Sequence, residues 1–183
     1  TGNSYTWNFG DGTEETTNNR NISHTYTEFN NYNVTLKVVK TTGCEATAEP
    51  TTITVNPLPN AGFESPEAAC QGEEVIFTAV TQDAESYTWF IDETQIENNN
   101  NSTLNYTFTE ASNYEVKLTV SNNGCSAENV KTITINPLPN AEFSSPETVC
   151  TDTEVTFTAV SQDAETYTWF IDETQIENNN NST

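Results

Sequence analysis

Apolar and polar residues alternate with period two in short runs along much of the chain, and Asn, Gly, Pro or Asp bound each run. Successive side chains leave a strand on opposite sides, so this alternation marks strands with one buried face. The run 74–80 puts Val75, Phe77 and Ala79 on one face, and 86–92 carries Tyr87 and Trp89. The run 104–108 carries Leu104, Tyr106 and Phe108, and 114–120 alternates most cleanly through Val116, Leu118 and Val120. With 131–135, a short strand near 61–64 and another at Gln95-Ile96, about seven strands are predicted in about 80 residues. No stretch sustains a helical period. Short antiparallel strands around a buried Trp predict an all-β, immunoglobulin-like two-sheet sandwich. Tyr114, where the penultimate strand begins, fits a tyrosine corner whose hydroxyl returns to nearby backbone.

The pattern is repeated. Asn56-Pro57-Leu58-Pro59-Asn60-Ala61 recurs as Asn136-Pro137-Leu138-Pro139-Asn140-Ala141, a shift of 80. At that shift residues 56–103 and 136–183 agree at 38 of 48 positions, which is tandem duplication. The opening stretch is a more distant copy of the unit's second half: Tyr5-Thr6-Trp7 matches Tyr87-Thr88-Trp89, Tyr32 matches Tyr114, and Gly43-Cys44 matches Gly124-Cys125. The expected organisation is therefore the C-terminal part of one domain (1–55), a complete domain (56–135) and the N-terminal part of a third (136–183). A domain cut there would expose its core, so the chain reads as an excerpt of a longer array, with Thr1 an internal or processed start. The alternative is half-units completed by strands of neighbouring chains. Trp7, Trp89 and Trp169, with Tyr32 and Tyr114, are the expected structural core. Two prolines in each Asn-Pro-Leu-Pro junction favour an extended linker and domains arranged end to end.

Charge narrows the partners. Five Lys and Arg stand against 27 Asp and Glu, a formal net charge of −22, which repels phosphate backbones and anionic headgroups. No apolar run approaches the ~20 residues of a membrane helix, so neither nucleic-acid binding nor membrane insertion is expected. Apolar residues make up 33%, yet aromatic residues reach 10%, which favours small folded units over disorder. The polar remainder is Asn, Thr and Ser, as in extracellular β-rich modules.

A unit of this size buries only ~60 to 65% of its unfolded surface and is marginal on its core alone. Four cysteines suggest the supplement: Cys70 and Cys150 follow the first strand of a unit, and Cys44 and Cys125 sit in the turn before its last. The complete unit owns Cys70 and Cys125, which are expected to form a disulfide worth ~4 kcal/mol in the chain-entropy model. Cys44 and Cys150 would pair outside residues 1–183. Zinc fails on ligands, with no Cys-x-x-Cys and a single His. Paired cysteines imply an oxidising compartment and a secreted protein.

Trp7-Asn8-Phe9-Gly10-Asp11-Gly12, then His24-Thr25-Tyr26, then Tyr32-Asn33-Val34-Thr35-Leu36-Lys37-Val38 occur in order at one spacing. Across most of residues 1–55 this resembles the PKD (polycystic kidney disease) domain family. The resemblance implies an immunoglobulin-like sandwich, usually extracellular and often in tandem. The later units replace the Gly-Asp-Gly turn by Asp92-Glu93 and His24 by Tyr106. Through Cys70, Asn123-Gly124-Cys125 and the Asn-Pro-Leu-Pro junction they are similar to PKD-like repeats of large Bacteroidetes cell-surface proteins, including gliding-motility adhesins exported by type IX secretion.

Candidate chemistry is sparse. His24 fits a hydrogen-bonded strand residue better than a metal ligand or an acid-base group. Asp11 with Glu14 and Glu15 is a weak calcium candidate, opposed by the habit of Asp to cap its own turn. Asp92-Glu93 and Asp172-Glu173 invite a glycosidase reading, but neighbours in a strand face opposite ways. No Ser-His-Asp set is feasible, and no cofactor is expected. The tract from Glu97 to Thr103, copied at Glu177 to Thr183, reads as a solvated connector whose side chains satisfy turn backbone, with a ligand-facing loop or an Asn ladder as alternatives. Asn-x-Ser/Thr sites, among them those at Asn21, Asn33, Asn101 and Asn105, match the glycosylation pattern, which means little if the source is bacterial.

The expected function is that of a non-catalytic structural and adhesive repeat segment of a long secreted or cell-surface protein. It would serve as a stalk or filament, with neighbouring repeats as its partners and surface glycans or proteins contacted through loops. Two alternatives stand beside it: an accessory substrate-binding array of a secreted hydrolase, and a self-assembling, homopolymeric extracellular fibre completed by strand exchange.

Overall fold

The computed structural model describes residues 3–161 and 164–176, and among them every regular element is a β-strand. The N-terminal copy has β1 (Ser4–Asn8), β2 (Glu14–Thr17), β3 (Asn30–Val39), β4 (Glu45–Thr47) and β5 (Thr51–Val55). They form one antiparallel sheet in the order β2-β1-β3-β4, with β5 also on β3. Trp7 pairs with Leu36 and Tyr5 with Val38, and Tyr32 pairs with Ile53. Pro50 lies between β4 and β5, where a residue lacking an N–H cannot continue a ladder.

The central copy has eight strands: β6 (Phe63–Glu64), β7 (Ala68–Cys70), β8 (Glu74–Ala79), β9 (Ser86–Ile91), β10 (Thr94–Ile96), β11 (Thr103–Thr107), β12 (Asn113–Asn122) and β13 (Cys125–Asn136). They make two sheets, β10-β9-β12-β13-β7 and β11-β8-β6, the sandwich that the alternation predicts. Two features differ from the sequence expectation. The last strand begins at Cys125 rather than Lys131, because Asn123 and Gly124 both take positive φ and close a two-residue turn straight into it. The other is β7, which runs parallel to β13 with Ala68, Ala69 and Cys70 opposite Thr134, Ile135 and Asn136.

The alternating positions converge on the core. Val75, Phe77, Ala79, Tyr87, Trp89, Ile91, Leu104, Val116, Leu118, Val120, Ile133 and Ile135 are all buried, and Trp89 is fully so. Phe63, Phe77 and Trp89 form an aromatic triad with centroids 5.3 Å apart for Phe63–Trp89, 6.3 Å for Phe63–Phe77 and 6.2 Å for Phe77–Trp89. Of the other expected core residues, Tyr32 is buried, whereas Trp7, Tyr114 and Trp169 are half-buried. Both tyrosine corners form: Tyr32 Oη donates to Glu28 O at 2.9 Å and Tyr114 Oη to Glu110 O at 3.0 Å.

The third copy has β14 (Phe143–Ser144), β15 (Thr158–Ala159), β16 (Trp169–Ile171) and β17 (Thr174–Ile176). It repeats the triad as Phe143, Phe157 and Trp169, with separations of 5.6, 6.2 and 6.2 Å. The tract from Glu177 to Thr183 lies outside the described residues.

The expected Cys70–Cys125 disulfide is not present in this structure. All four cysteines are thiols. Cys70 stands opposite Asn136, the last residue of β13, whereas Cys125 is its first. Strands rise ~3.3 Å per residue, so the two ends of a 12-residue strand are far beyond the ~7 Å Cα separation that a disulfide tolerates.

Truncating Trp89 to Ala removes the centre of the triad, and equilibrium urea unfolding should show a loss of ~3 to 5 kcal/mol. Tyr114→Phe removes one hydrogen bond from a half-buried ring and should cost ~1 kcal/mol in the same assay.

Candidate functional site

The most polar cluster surrounds the Gly10-Asp11-Gly12 turn of the N-terminal copy. Gly10 takes φ 81°, and a Cβ there would come within 2.8 Å of the Asn33 backbone, so only glycine fits. The turn is laced by side chains: Asn8 Oδ1 accepts from Gly10 N at 2.9 Å, and Asp11 Oδ1 accepts from Thr13 N at 3.0 Å and Thr13 Oγ1 at 2.6 Å. The other carboxylate oxygen, Asp11 Oδ2, lies 2.7 Å from His24 Nε2. Hydrogen bonding from Thr13, reinforced by His24 against partial desolvation, holds the Asp11 carboxyl down at about 2.

His24 begins an aromatic ladder. Its ring stacks on Phe9 at 3.9 Å and meets Tyr26 edge-on at 4.8 Å, and Tyr26 stacks on Tyr32 at 4.2 Å. Tyr26 Oη donates to Phe9 O at 2.9 Å, and burial, then the Asp11 charge, raises the Tyr26 pKa. His24 lies in an unpaired segment between β2 and β3, so it is a hydrogen-bonded residue but not a strand residue. The central copy keeps the ladder with different chemistry: Tyr106 meets Phe108 edge-on at 4.8 Å, and Phe108 lies 4.5 Å from Tyr114. A position that accepts either His or Tyr is serving packing and turn fixation.

The calcium candidate does not assemble. Both Asp11 oxygens already have protein partners, and Glu14 and Glu15 are successive exposed strand residues opposite Asn8 and Trp7. No group of three His, Cys, Asp or Glu able to hold a metal ion occurs among the described residues.

Asp92 and Glu93 are turn residues, not strand residues. Both take positive φ, 45° and 65°, in the two-residue β9–β10 turn, and Asp172 and Glu173 repeat it at 47° and 62°. Asp92 Oδ1 accepts from Glu115 N and Asp92 N donates to Glu115 O, both at 2.9 Å. This carboxylate is tied to backbone and opposes no second acid.

The Asn tract of the central copy caps the sandwich. Asn98 and Asn101 exchange side-chain to backbone hydrogen bonds at 2.9 Å each. Asn100 accepts from Tyr87 N at 2.6 Å and donates to Glu85 O at 3.0 Å. Asn101 O accepts the Trp89 indole N–H at 3.2 Å, so the tract satisfies the polar atom of the buried Trp. In the N-terminal copy the corresponding stretch is Asn18-Asn19-Arg20-Asn21, where Asn19 Oδ1 accepts from Asn21 N at 3.2 Å, and the buried Trp7 Nε1 has no protein partner. A shallow 230 Å³ concavity beside the tract is lined by Tyr87, Gln95 and Asn98–Asn100.

A concavity of 410 Å³ lies on the third copy, against Phe143, Phe157, Trp169 and Ile171. Phe143 is 57% exposed there and its counterpart Phe63 only 2%. In the central copy Lys131 Nζ lies over the Phe63 ring, 5.1 Å from its centroid. The concavity lies against the aromatic triad of the third copy.

Fold, tyrosine corners and turn define tandem immunoglobulin-like β-sandwich domains. The chain belongs to the PKD domain family, which matches residues 1–55 and again residues 62–135. No curated protein matches it. Among solved structures it is similar to the fibronectin(III)-like modules of Clostridium thermocellum CbhA (13% identity, 73% of this chain and 78% of that one, TM-score 0.38). It is also similar to the Bacteroides ovatus mixed-linkage glucan utilization locus protein SGBP-B (10% identity, 81% and 42%, TM-score 0.28) and to Dscam (16%, 73% and 38%, TM-score 0.32). The chain spans less than half the length of the latter two. No helix among the described residues is long and apolar enough to cross a membrane.

Two outcomes are expected. Asn100→Ala removes two hydrogen bonds and places a Cβ-bearing residue without a local polar partner at φ 62°, so urea unfolding should register a loss of ~2 to 3 kcal/mol. The folded Asp11 pKa is below its unfolded value of ~3.9. Its stabilisation of the N-terminal copy is therefore fully present above about pH 4 and lost as pH falls toward about 2. Carbon-13 titration of the carboxyl and unfolding at stepped pH, each compared with Asp11→Asn, measure this.

Proposed function

We propose that this chain is a non-catalytic structural and adhesive segment of a long extracellular or cell-surface protein, working as a stalk whose loops contact surfaces or glycans. The observation that carries the reading is the commitment of its polar groups. Asp11, His24, Asp92 and the central Asn tract all hold turns or backbone, while the aromatic triad recurs in the third copy to within a few tenths of an ångström. Evolution has copied a spacer here, not a reaction centre. The acidic surface suits it, since like charge keeps neighbouring stalks apart.

Within this reading, the Cys70, Asn123-Gly124-Cys125 and Asn-Pro-Leu-Pro features support a gliding-motility type of adhesin delivered by type IX secretion. The two prolines of each junction restrict backbone freedom where stiffness matters most.

Small-angle scattering of arrays lengthened by one, two and three copies of residues 56–135 tests the stalk. The maximum dimension should rise by a constant increment per copy. Growth with the cube root of mass, as for a compact globule, would overturn it.

A further inference from the structure

Two of the thiols lie at the two ends of the central copy. At the N-terminal end of the central copy, Cys125 Sγ donates to Asn56 O at 3.9 Å, and Asn56 Nδ2 donates to Asn123 O at 3.0 Å. At the C-terminal end of the same copy, Cys70 is bridged to Asn136, and Gln71 N donates to Asn136 O at 2.9 Å. Asn56 and Asn136 are the same residue of successive copies, 80 positions apart, each opening an Asn-Pro-Leu-Pro linker.

Superposing the two junctions by this repeat brings both cysteine classes to one residue. A linker asparagine between two complete copies would then stand opposite the Cys70-class residue of the preceding copy and have the Cys125-class residue of the following copy at its carbonyl. We propose that these two cysteines form a disulfide between successive repeats, so that each junction is crosslinked across its linker. The proposal rests on the tandem-array reading and goes beyond it, since it makes the array a covalently laced chain.

Within residues 1–183 the Asn56 junction holds only a following-copy cysteine, Cys125, and the Asn136 junction only a preceding-copy cysteine, Cys70. Both are partly exposed and open to an oxidant. The oxidant is a small-molecule disulfide such as oxidised glutathione. One cysteine thiolate attacks it and releases one reduced thiol. The second thiolate then displaces the other half, and the two protons leave on the two released thiols, so two electrons pass to the oxidant.

The chain itself supplies the test, because residues 104–136 appended after Thr183 continue the repeat and place a second copy of Cys125 beyond the Asn136 junction. Refolding with oxidised glutathione followed by non-reducing peptide mapping should link Cys70 to the second copy of Cys125. Of the five cysteines, three should then titrate as thiols, whereas residues 1–183 alone keep four. Cys70→Ser, or Ser in the second copy of Cys125, should abolish the link with the far-UV spectrum unchanged, and Cys125→Ser in the first copy should leave it intact. A Cys70–Cys125 link inside one copy, any other pairing, or five persistent thiols in the folded protein would overturn the proposal. Scattering of the reduced array reports on the stalk separately, so failure of the link and failure of the stalk reading are distinguishable.

Discussion

Everything in a repeat is arranged around one buried indole. Trp89 is fully enclosed, with Phe63 and Phe77 against it, in a unit too small to hold a second core. An indole brings a large apolar area and one obligate donor, and burying that donor unpaired is costly. The Asn tract answers the requirement, because Asn101 O takes the N–H while Asn98 and Asn100 hold the tract in shape. A run of four asparagines that looks like low-complexity sequence is thus the polar lid of an aromatic core.

A second constraint runs beside the first. The ladder that ends on the tyrosine corner needs flat rings at fixed spacing, and it takes them as His24, Tyr26 and Tyr32 in one copy and as Tyr106, Phe108 and Tyr114 in another. Where the ring is His, Asp11 anchors it and the loop is a longer glycine-bounded turn. Where the ring is Tyr, the loop shrinks to Asp92-Glu93, and the carboxylate turns to the Glu115 amide instead. Two solutions to one packing problem explain why the family signature is present in the first copy and eroded in the others. They also explain why residues that resemble catalytic pairs are tied up locally.

Much of this was legible in the amino-acid order. Strict alternation marked the strands at 74–80, 86–92 and 114–120 and their buried faces, because a half-buried strand leaves no other pattern. The β7 strand left no trace, since Ala68-Ala69-Cys70 has no polar alternation and pairs with a strand some 65 residues away. The Asp92-Glu93 turn was hidden for a different reason: such turns favour Asn-Gly, and nothing local announces that Asp and Glu will take positive φ. The cysteine pairing went astray through topology. Repeat class shows which cysteines belong to a copy but not that β13 carries one of them to the far end, and that placement is a consequence of β7 lying parallel to the strand's end.

That parallel pairing also bears on what the repeat is for. In a tandem array the linkers transmit tension, pulling the N-terminal strands one way and β13 the other. Because β7 and β13 run parallel, those pulls slide the two strands along their common axis instead of peeling one from the other. The bridges at Ala68–Thr134, Ala69–Ile135 and Cys70–Asn136, with the flanking Thr134 N to Glu67 O and Gln71 N to Asn136 O bonds, are then loaded together rather than one at a time. A short strand without alternation, invisible in the sequence, in this way ties down the end of β13, and its last residue, Cys70, stands opposite the asparagine where the linker to the next repeat begins.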